Sequence, residues 1–386
     1  MPGSVIAEPR LSPVAKTGHA AGEVVVYRRE SGERAAHDHA TCSQIARRLA
    51  ALKGYAFGGE HDGEDGCAIH RYVVPTGTVV GVEHAHSLGI HSEHDLFGGV
   101  VPYPFVGTKS ITHPLVAPDA RAPDGWSAEF GRDVRDAVLE GFSAFSFDDA
   151  VRAGCDLLAC GPVRIKRALG IGGNGQVVVR NVRALQGTLA NLDAAEIESY
   201  GIALEQDLVD VTTYSVGQVR VDDLVATYCG TQCVTRNNHG DTVYGGSQLL
   251  VARGDFDALL TLDHSPLARR AIAQARVYDE AALRCFPGLF ASRRNYDVAN
   301  GSDRHGRQRS GVLEQSWRVG GASGAEVEAL LAFREDPALA AVRASTTEVY
   351  GDAATPPPDA IVYFQGTDAR AGPLLKFTSI APHVHA

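Results

Sequence analysis

The chain has 386 residues, of which 44% are apolar and 21% charged, and its formal net charge is −10. That length exceeds one ordinary core and predicts two or three packed domains with the composition of a soluble globular protein. An acidic balance with no long Lys or Arg run argues against nucleic acid as a partner, because neutralising phosphates needs a basic surface. No window is apolar for long enough to span a membrane.

Residues 1–22 are rich in Pro, Gly and Ala and hold no apolar stretch of the signal-peptide kind, so they read as a disordered N-terminus. The seven cysteines are odd in number and irregularly spaced, and read as reduced thiols of a cytoplasmic protein. Cys229 and Cys233, with His239 downstream, have poor spacing for zinc and lack a fourth ligand. Glu23–Tyr27 is β-branched and predicts a first strand. Thr41–Leu52 has helical spacing, with Ile45, Leu49 and Leu52 on one face, Thr41 as a cap and Gly54 as a stop. Tyr72–Val74 and Thr78–Val82 predict further strands, which makes residues 23–105 a small α/β unit.

A helix is predicted over Glu129–Val138, and a short one at Asp148, whose leading acids suit the helix dipole. Another falls between Leu185 and Gly201. Then come Gly201–Glu205, an alternating strand over Thr212–Val221, and a helix over Ser265–Arg284. Val312–Leu331 reads as strand, Gly-Gly turn and helix. Thr346–Tyr350 and Ala360–Phe364 read as terminal strands on either side of a Pro-rich turn.

The stretch Gly170-Ile-Gly-Gly-Asn-Gly175 matches a dinucleotide fingerprint and equally a kinase glycine loop. A dinucleotide site needs a helix after the glycines, but Gln176-Val-Val-Val179 is strand-forming, so the loop is strand–turn–strand. A kinase needs its lysine after the loop, whereas Lys166 precedes it, and neither H-R-D nor D-F-G follows. A hairpin with no ligand is the plain alternative.

Lys109, then Lys166 on a strand, then the glycine hairpin, then Ala203-Leu-Glu-Gln-Asp-Leu208, together resemble the ATP-grasp superfamily. The resemblance implies an ATP-grasp fold of α+β lobes behind an N-terminal Rossmann-like domain. It implies ATP held by Lys109, Lys166, Gly170, Gly172, Gly173, Gly175, Gln176, Glu205, Asp207 and Leu208. Downstream, Asp297 and Gly311-Val-Leu-Glu-Gln-Ser-Trp-Arg318 resemble the family's metal signature. This implies Mg²⁺ or Mn²⁺ on Asp297, Glu314 and Ser316, with Lys166 and Arg318 catalytic. Ser316 stands where the family has asparagine, which exchanges one metal contact for a hydroxyl. On this resemblance, residues 106–386 form the ATP-grasp domain, with a lid over about 150–210 and a metal-binding lobe over 211–386.

The chemistry suits the residue types. Mg²⁺ takes oxygen ligands, and two carboxylates plus phosphates suffice. Cations at Lys166 and Arg318 would neutralise a transferring phosphoryl group. The plain alternative for Asp297, Glu314 and Arg318 is a surface ion-pair ladder on a hairpin. His84, His86, His91 and His94 cluster before Asp95, and the readings are substrate contact, a solvated helix end or a metal site. The expected function is an ATP-dependent carboxylate–amine ligase taking a small carboxylate and an amine, with a homodimer compatible. The alternatives are a small-molecule kinase and a nucleotide-binding protein without chemistry.

Overall fold

The computed structural model describes residues 22–28, 35–61, 70–170, 175–352 and 354–383. Its architecture is α/β, as the sequence predicts; the expected disordered N-terminus lies outside the described residues, Gly22 apart.

Strand β1 (Glu23–Tyr27) leads through helix α1 (Ala36–Lys53) to β2 (Ala56–His61) and β3 (Arg71–Pro75), in a parallel sheet of order β2-β1-β3. Val24, Val25 and Val26 are all buried, as a central parallel strand requires. Helix α1 buries Ile45, Leu49 and Leu52 and stops at Gly54, whose φ of 68° is left-handed. Thr41 is not its cap: the helix begins a turn earlier, and Thr41 Oγ1 donates to the His37 carbonyl at 2.8 Å. Of Thr78–Val82 only β4 (Val79–Val80) is strand. Gly81, at φ 91°, turns the chain into α2 (Val82–Ser87), and β5 (Gly99–Val101) follows.

The predicted helix 129–138 is shorter: α3 (Ala128–Asp133) gives way to a 3-10 turn at Arg135–Ala137. A four-stranded antiparallel unit comes next: β6 (Gly141–Ala144), α4 (Phe147–Cys160), β7 (Val163–Arg167), β8 (Gln176–Val179), α5 (Val182–Ala190), α6 (Ala194–Tyr200) and β9 (Ile202–Gln206). Its order is β6-β9-β7-β8. The single helix expected over 185–201 is two, because Asp193 caps α6 afresh, its side chain accepting from the Ala195 amide.

The largest sheet is antiparallel, eight strands in the order β15-β14-β10-β11-β12-β16-β18-β17. It comprises β10 (Val209–Val221), β11 (Leu224–Arg236) and β12 (Thr242–Arg253). After α7 (Phe256–Leu260), α8 (Pro266–Cys285) and β13 (Phe290–Ala291) come β14 (Arg293–Ser302) and β15 (Gln308–Ser316). After α9 (Ser323–Glu335) come β16 (Ala341–Tyr350), β17 (Ile361–Asp368) and β18 (Gly372–Pro382). Strands β11, β12 and β18 have no counterpart in the sequence reading. Strand alternation divides the two faces. Val216, Cys229, Leu250 and Tyr296 pack with α8 on one face. Val219, Tyr228, Leu249 and Val342 pack with α9 on the other. Along that second face the residues turn polar beyond α9 (Ser215, Gln232, Ser247, Thr346) and line a cavity. Among the described residues no helix is long and apolar enough to cross a membrane.

Candidate functional site

The cavity has a volume of about 900 Å³. Its floor is the polar half of the large sheet, and its walls include β7, β9 and the start of β8.

Period-2 alternation on β7 sends Val163 and Ile165 into the core and turns Arg164 and Lys166 to the cavity. Lys166 is only 2% exposed; its Nζ lies 2.5 Å from Glu205 Oε1 and 3.4 Å from the Leu313 carbonyl. Glu205 Oε2 meets His113 Nε2 at 3.1 Å. Burial alone would push the Glu205 carboxyl up, but the Lys166 charge and the His113 contact outweigh it and hold the pKa below its usual range. A buried triad results, in which one carboxylate orients both Lys166 and His113. Arg164 Nη2 pairs with Asp207 Oδ1 at 2.6 Å while its Nη1 donates to Gln176 Oε1 at 3.1 Å. That ties the end of β9, at Asp207, to the first residue of β8. Leu208 packs with Leu139, Ala299 and Leu313 as a small apolar patch beside them.

Lys109, in a 3-10 turn at Lys109–Ile111, bridges two elements. Its Nζ donates to the Gly170 carbonyl at 2.9 Å and lies 2.5 Å from Glu314 Oε2. Strands β7 and β8 on either side of the glycine loop pair antiparallel, with Lys166 opposite Gln176 and Gly175 at φ 74°. Gly172 and Gly173 lie outside the described residues.

At the other end of the sheet Asp297 and Glu314 are register partners on β14 and β15, so their side chains share one face. Asp297 Oδ1 accepts from Gln232 Nε2 at 2.8 Å and Asn295 Nδ2 at 3.0 Å. Burial, then the neighbouring Glu314 charge, push the Asp297 carboxyl up to about 6. Two close carboxylates of which one is reluctant to ionise are a donor set that a divalent cation would relieve. Ser316 Oγ accepts from Arg293 Nη1 at 3.3 Å, and buried Arg293 forks onto Glu326 through two 2.8 Å contacts. Arg318 lines the cavity, and its Nη1 donates to the Val319 carbonyl at 3.0 Å.

The structure therefore brings Lys166, Gln176, Glu205, Leu208, Asp297, Glu314, Ser316 and Arg318 to one cavity. Lys109 and Asp207 join it through ion pairs. Sequence reasoning missed His113, Gln232, Asn295 and Arg293. Asn295 precedes Asp297 by two residues on a strand, a spacing that could have exposed it; Gln232 lies on a strand that was not read. The histidine cluster stands apart. His84 Nε2 meets Tyr27 OH at 3.1 Å, the His86 and His91 rings lie 4.9 Å apart, and Asp95 accepts from the His91 and Ser92 amides. None of the four histidines lines the cavity. Among the described residues the group of three or more His, Cys, Asp or Glu side chains that converge closely enough to share a metal is Glu129, Asp133 and Cys285, not these histidines, nor Cys229 and Cys233. Asp133 there already pairs with Arg284.

The chain belongs to the family described as protein of unknown function (DUF3182), whose model matches residues 25–378. No curated protein matches it. Similar solved structures include carboxyaminoimidazole ribonucleotide synthase from Aspergillus clavatus complexed with ATP, at TM-score 0.49 and 13% identity over 94% of each chain. A biotin carboxylase from Campylobacter jejuni in complex with β-γ-ATP gives 0.47 and 10%, over 93% of this chain and 87% of that one. A D-alanine–D-alanine ligase from Bacillus anthracis gives 0.41 and 12%, over 77% and 87%. At these scores the likenesses carry no argument about activity, and the functional reading rests on this chain's own residues.

Proposed function

We propose that this protein is an ATP-dependent ligase of the ATP-grasp type, which activates a small carboxylate as an acyl phosphate for attack by an amine or similar nucleophile. The observation that carries the reading is the meeting of two groups of side chains in one cavity: Lys166 with Glu205 and Gln176 on the small sheet, and Asp297 with Glu314 and Arg318 on the large one. In this reading residues 23–105 are the Rossmann-like N-terminal domain. The glycine hairpin covers the triphosphate, and the Glu205–Leu208 segment with its apolar patch receives the base.

Asp297 and Glu314 would hold Mg²⁺ or Mn²⁺, with Ser316 beside them. Bound there, the metal supplies charge neutralisation for the phosphates. The chain's own contribution is placement. Glu205 holds Lys166 rigid, so its ammonium is pre-aimed and needs little reorganisation when phosphate charge arrives. Lys109 must leave Glu314, and it then becomes available to a phosphate oxygen. Arg318, which lines the same cavity, would meet charge developing on the acyl phosphate. At about 900 Å³ the cavity lies near the top of the range of ligand pockets, roughly 300–1,000 Å³, which suits a nucleotide with a second substrate beside it.

The test is interception by hydroxylamine. ATP, Mg²⁺, the correct acid and the protein should give a hydroxamate and ADP when the amine is withheld, because an acyl phosphate is a reactive carbonyl shielded from water. A thermal-shift titration runs alongside: Mg²⁺ with ADP at a hundred times Kd should add about 2.7 kcal/mol of stability, and NADP nothing. ADP and a stable phosphoester from an identified substrate, with no hydroxamate, would assign a kinase instead.

A further inference from the structure

Sites of phosphoryl transfer hold one divalent cation or two, and where there are two the ions lie about 3.5–4 Å apart. The oxygens around Asp297 and Glu314 decide which case this cavity is built for. The two carboxylates are register partners on β14 and β15 and share a face. Asp297 Oδ1 already accepts from Gln232 Nε2 and Asn295 Nδ2. Asn295 is itself fully used: its Oδ1 accepts from Ser215 Oγ at 2.6 Å and from Tyr228 OH at 2.9 Å, so both lone pairs of that oxygen are taken.

The remaining oxygen of the set expected from sequence is Ser316 Oγ, and a cation already stands beside it. Arg293 is 1% exposed, and its Nη1 donates to Ser316 Oγ at 3.3 Å, to the Ser316 carbonyl at 3.0 Å and to the Arg318 carbonyl at 2.5 Å. Its Nε and Nη2 each donate to Glu326 at 2.8 Å, and Glu326 also accepts from Tyr228 OH at 2.5 Å. Every nitrogen of the guanidinium thus has an acceptor. It cannot swing away from Ser316 without stranding the buried Glu326 carboxylate. Glu326 balances the charge from the Nε and Nη2 side, whereas the Nη1 side turned to Ser316 meets only neutral oxygens. A Mg²⁺ on Ser316 Oγ would sit about 2.1 Å from that oxygen, which would place two cations on one hydroxyl in a site poor in water.

We infer that the cavity binds one divalent cation rather than two, on Asp297 and Glu314, with Ser316 outside its coordination and held to Arg293 instead. Resting on the ligase reading for the nucleotide, this count leaves part of the positive charge beside the phosphates to a fixed guanidinium that no chelator removes. Ser316 then serves the backbone of its strand, not the metal.

Mn²⁺ is the probe, because its unpaired electrons report both the number of ions and their spacing. The full chain at pH 8, with and without ADP, is titrated with Mn²⁺ and followed by electron paramagnetic resonance. One ion should bind in the cavity, with a spectrum free of coupling to a second. Ser316→Ala should leave its Kd within about threefold, whereas Glu314→Gln should weaken it more than about tenfold, at least the loss that removing a supporting contact brings. An ion on the exposed Glu129, Asp133 and Cys285 group, which does not line the cavity, would survive Glu314→Gln and is counted apart. Two mutually coupled ions, a second ion lost together with the first in Glu314→Gln, or Ser316→Ala weakening the ion more than threefold would each overturn the count. So would the absence of bound Mn²⁺ under both conditions. The count in the unaltered protein does not depend on any variant folding. Mn²⁺ binding without any binding of ADP would sink the nucleotide reading separately, and the titration of the metal alone would still decide the count.

Discussion

Replacing Asp297 by Asn should stabilise the metal-free protein above neutral pH and leave it unchanged in acid. The carboxyl is buried beside Glu314, which raises it from an ordinary 3.8 to about 6. Between those values the folded chain holds a proton that the unfolded chain has lost. The stability belonging to the raised pKa is therefore fully present below 3.8 and lost as pH rises through 6. At about 1.4 kcal/mol per pH unit, the gap is worth up to about 3 kcal/mol. Asn keeps Oδ1 as acceptor for Gln232 and Asn295, so the variant removes the ionisation and little else. Urea denaturation in chelator at pH 4 and pH 8 measures the difference. The Asn protein should gain up to about 3 kcal/mol at pH 8 and almost nothing at pH 4. Added Mg²⁺ with ADP should stabilise the Asp protein far more than the variant. A variant equally or less stable at pH 8, or a difference independent of pH, would refute the claim that two crowded carboxylates await a cation.

Lys166→Met should both weaken nucleotide binding and destabilise the fold by about 3–5 kcal/mol, since it strands Glu205 in the interior. Because the Glu205 pKa is depressed, the stability it contributes is present above its ordinary value of 4.5 and lost as pH falls through the folded value, so the Lys166→Met deficit, read by urea titration, should shrink on acidification. Glu314→Gln should fold normally and keep part of its ADP affinity, while phosphate release with the identified acid falls more than a hundredfold. Full turnover in that variant would remove Glu314 from the metal site.

The parts of the site readable in sequence were those whose backbone geometry local chemistry determines. Three valines after Gly175 make a strand whatever surrounds them, and that decided strand–turn–strand against a helix-opening loop. Asp297 and Glu314 came together because a polar hairpin turn links their strands, and the turn limits the register. His113 and Glu205 were different: 92 residues separate them, and only the folded sheet brings His113 onto the carboxylate that holds Lys166. Nothing local distinguishes such a histidine from one on the surface. The histidine-rich stretch at 84–94 is the converse, conspicuous in sequence yet spread along a short helix and turn whose side chains meet Tyr27, each other and solvent.

Strands β11, β12 and β18 escaped for a more general reason. A strand under a helix reads as apolar alternation, but these strands are only half covered. On β11, Ala226 and Tyr228 lie under α9, whereas Gln232 and Val234 continue the same row over the cavity. On β18, the row carries Lys376 and Thr378 into the cavity floor. Each strand thus breaks its pattern where α9 stops covering it, and periodicity cannot carry across the break. That break is also where the cavity opens: the helix seals the apolar half of the sheet, and the turn before it, Gly320–Ala322, borders the polar half. A sequence pattern weakened midway along several paired strands therefore marks the edge of a cavity, provided the strands can be paired by other means.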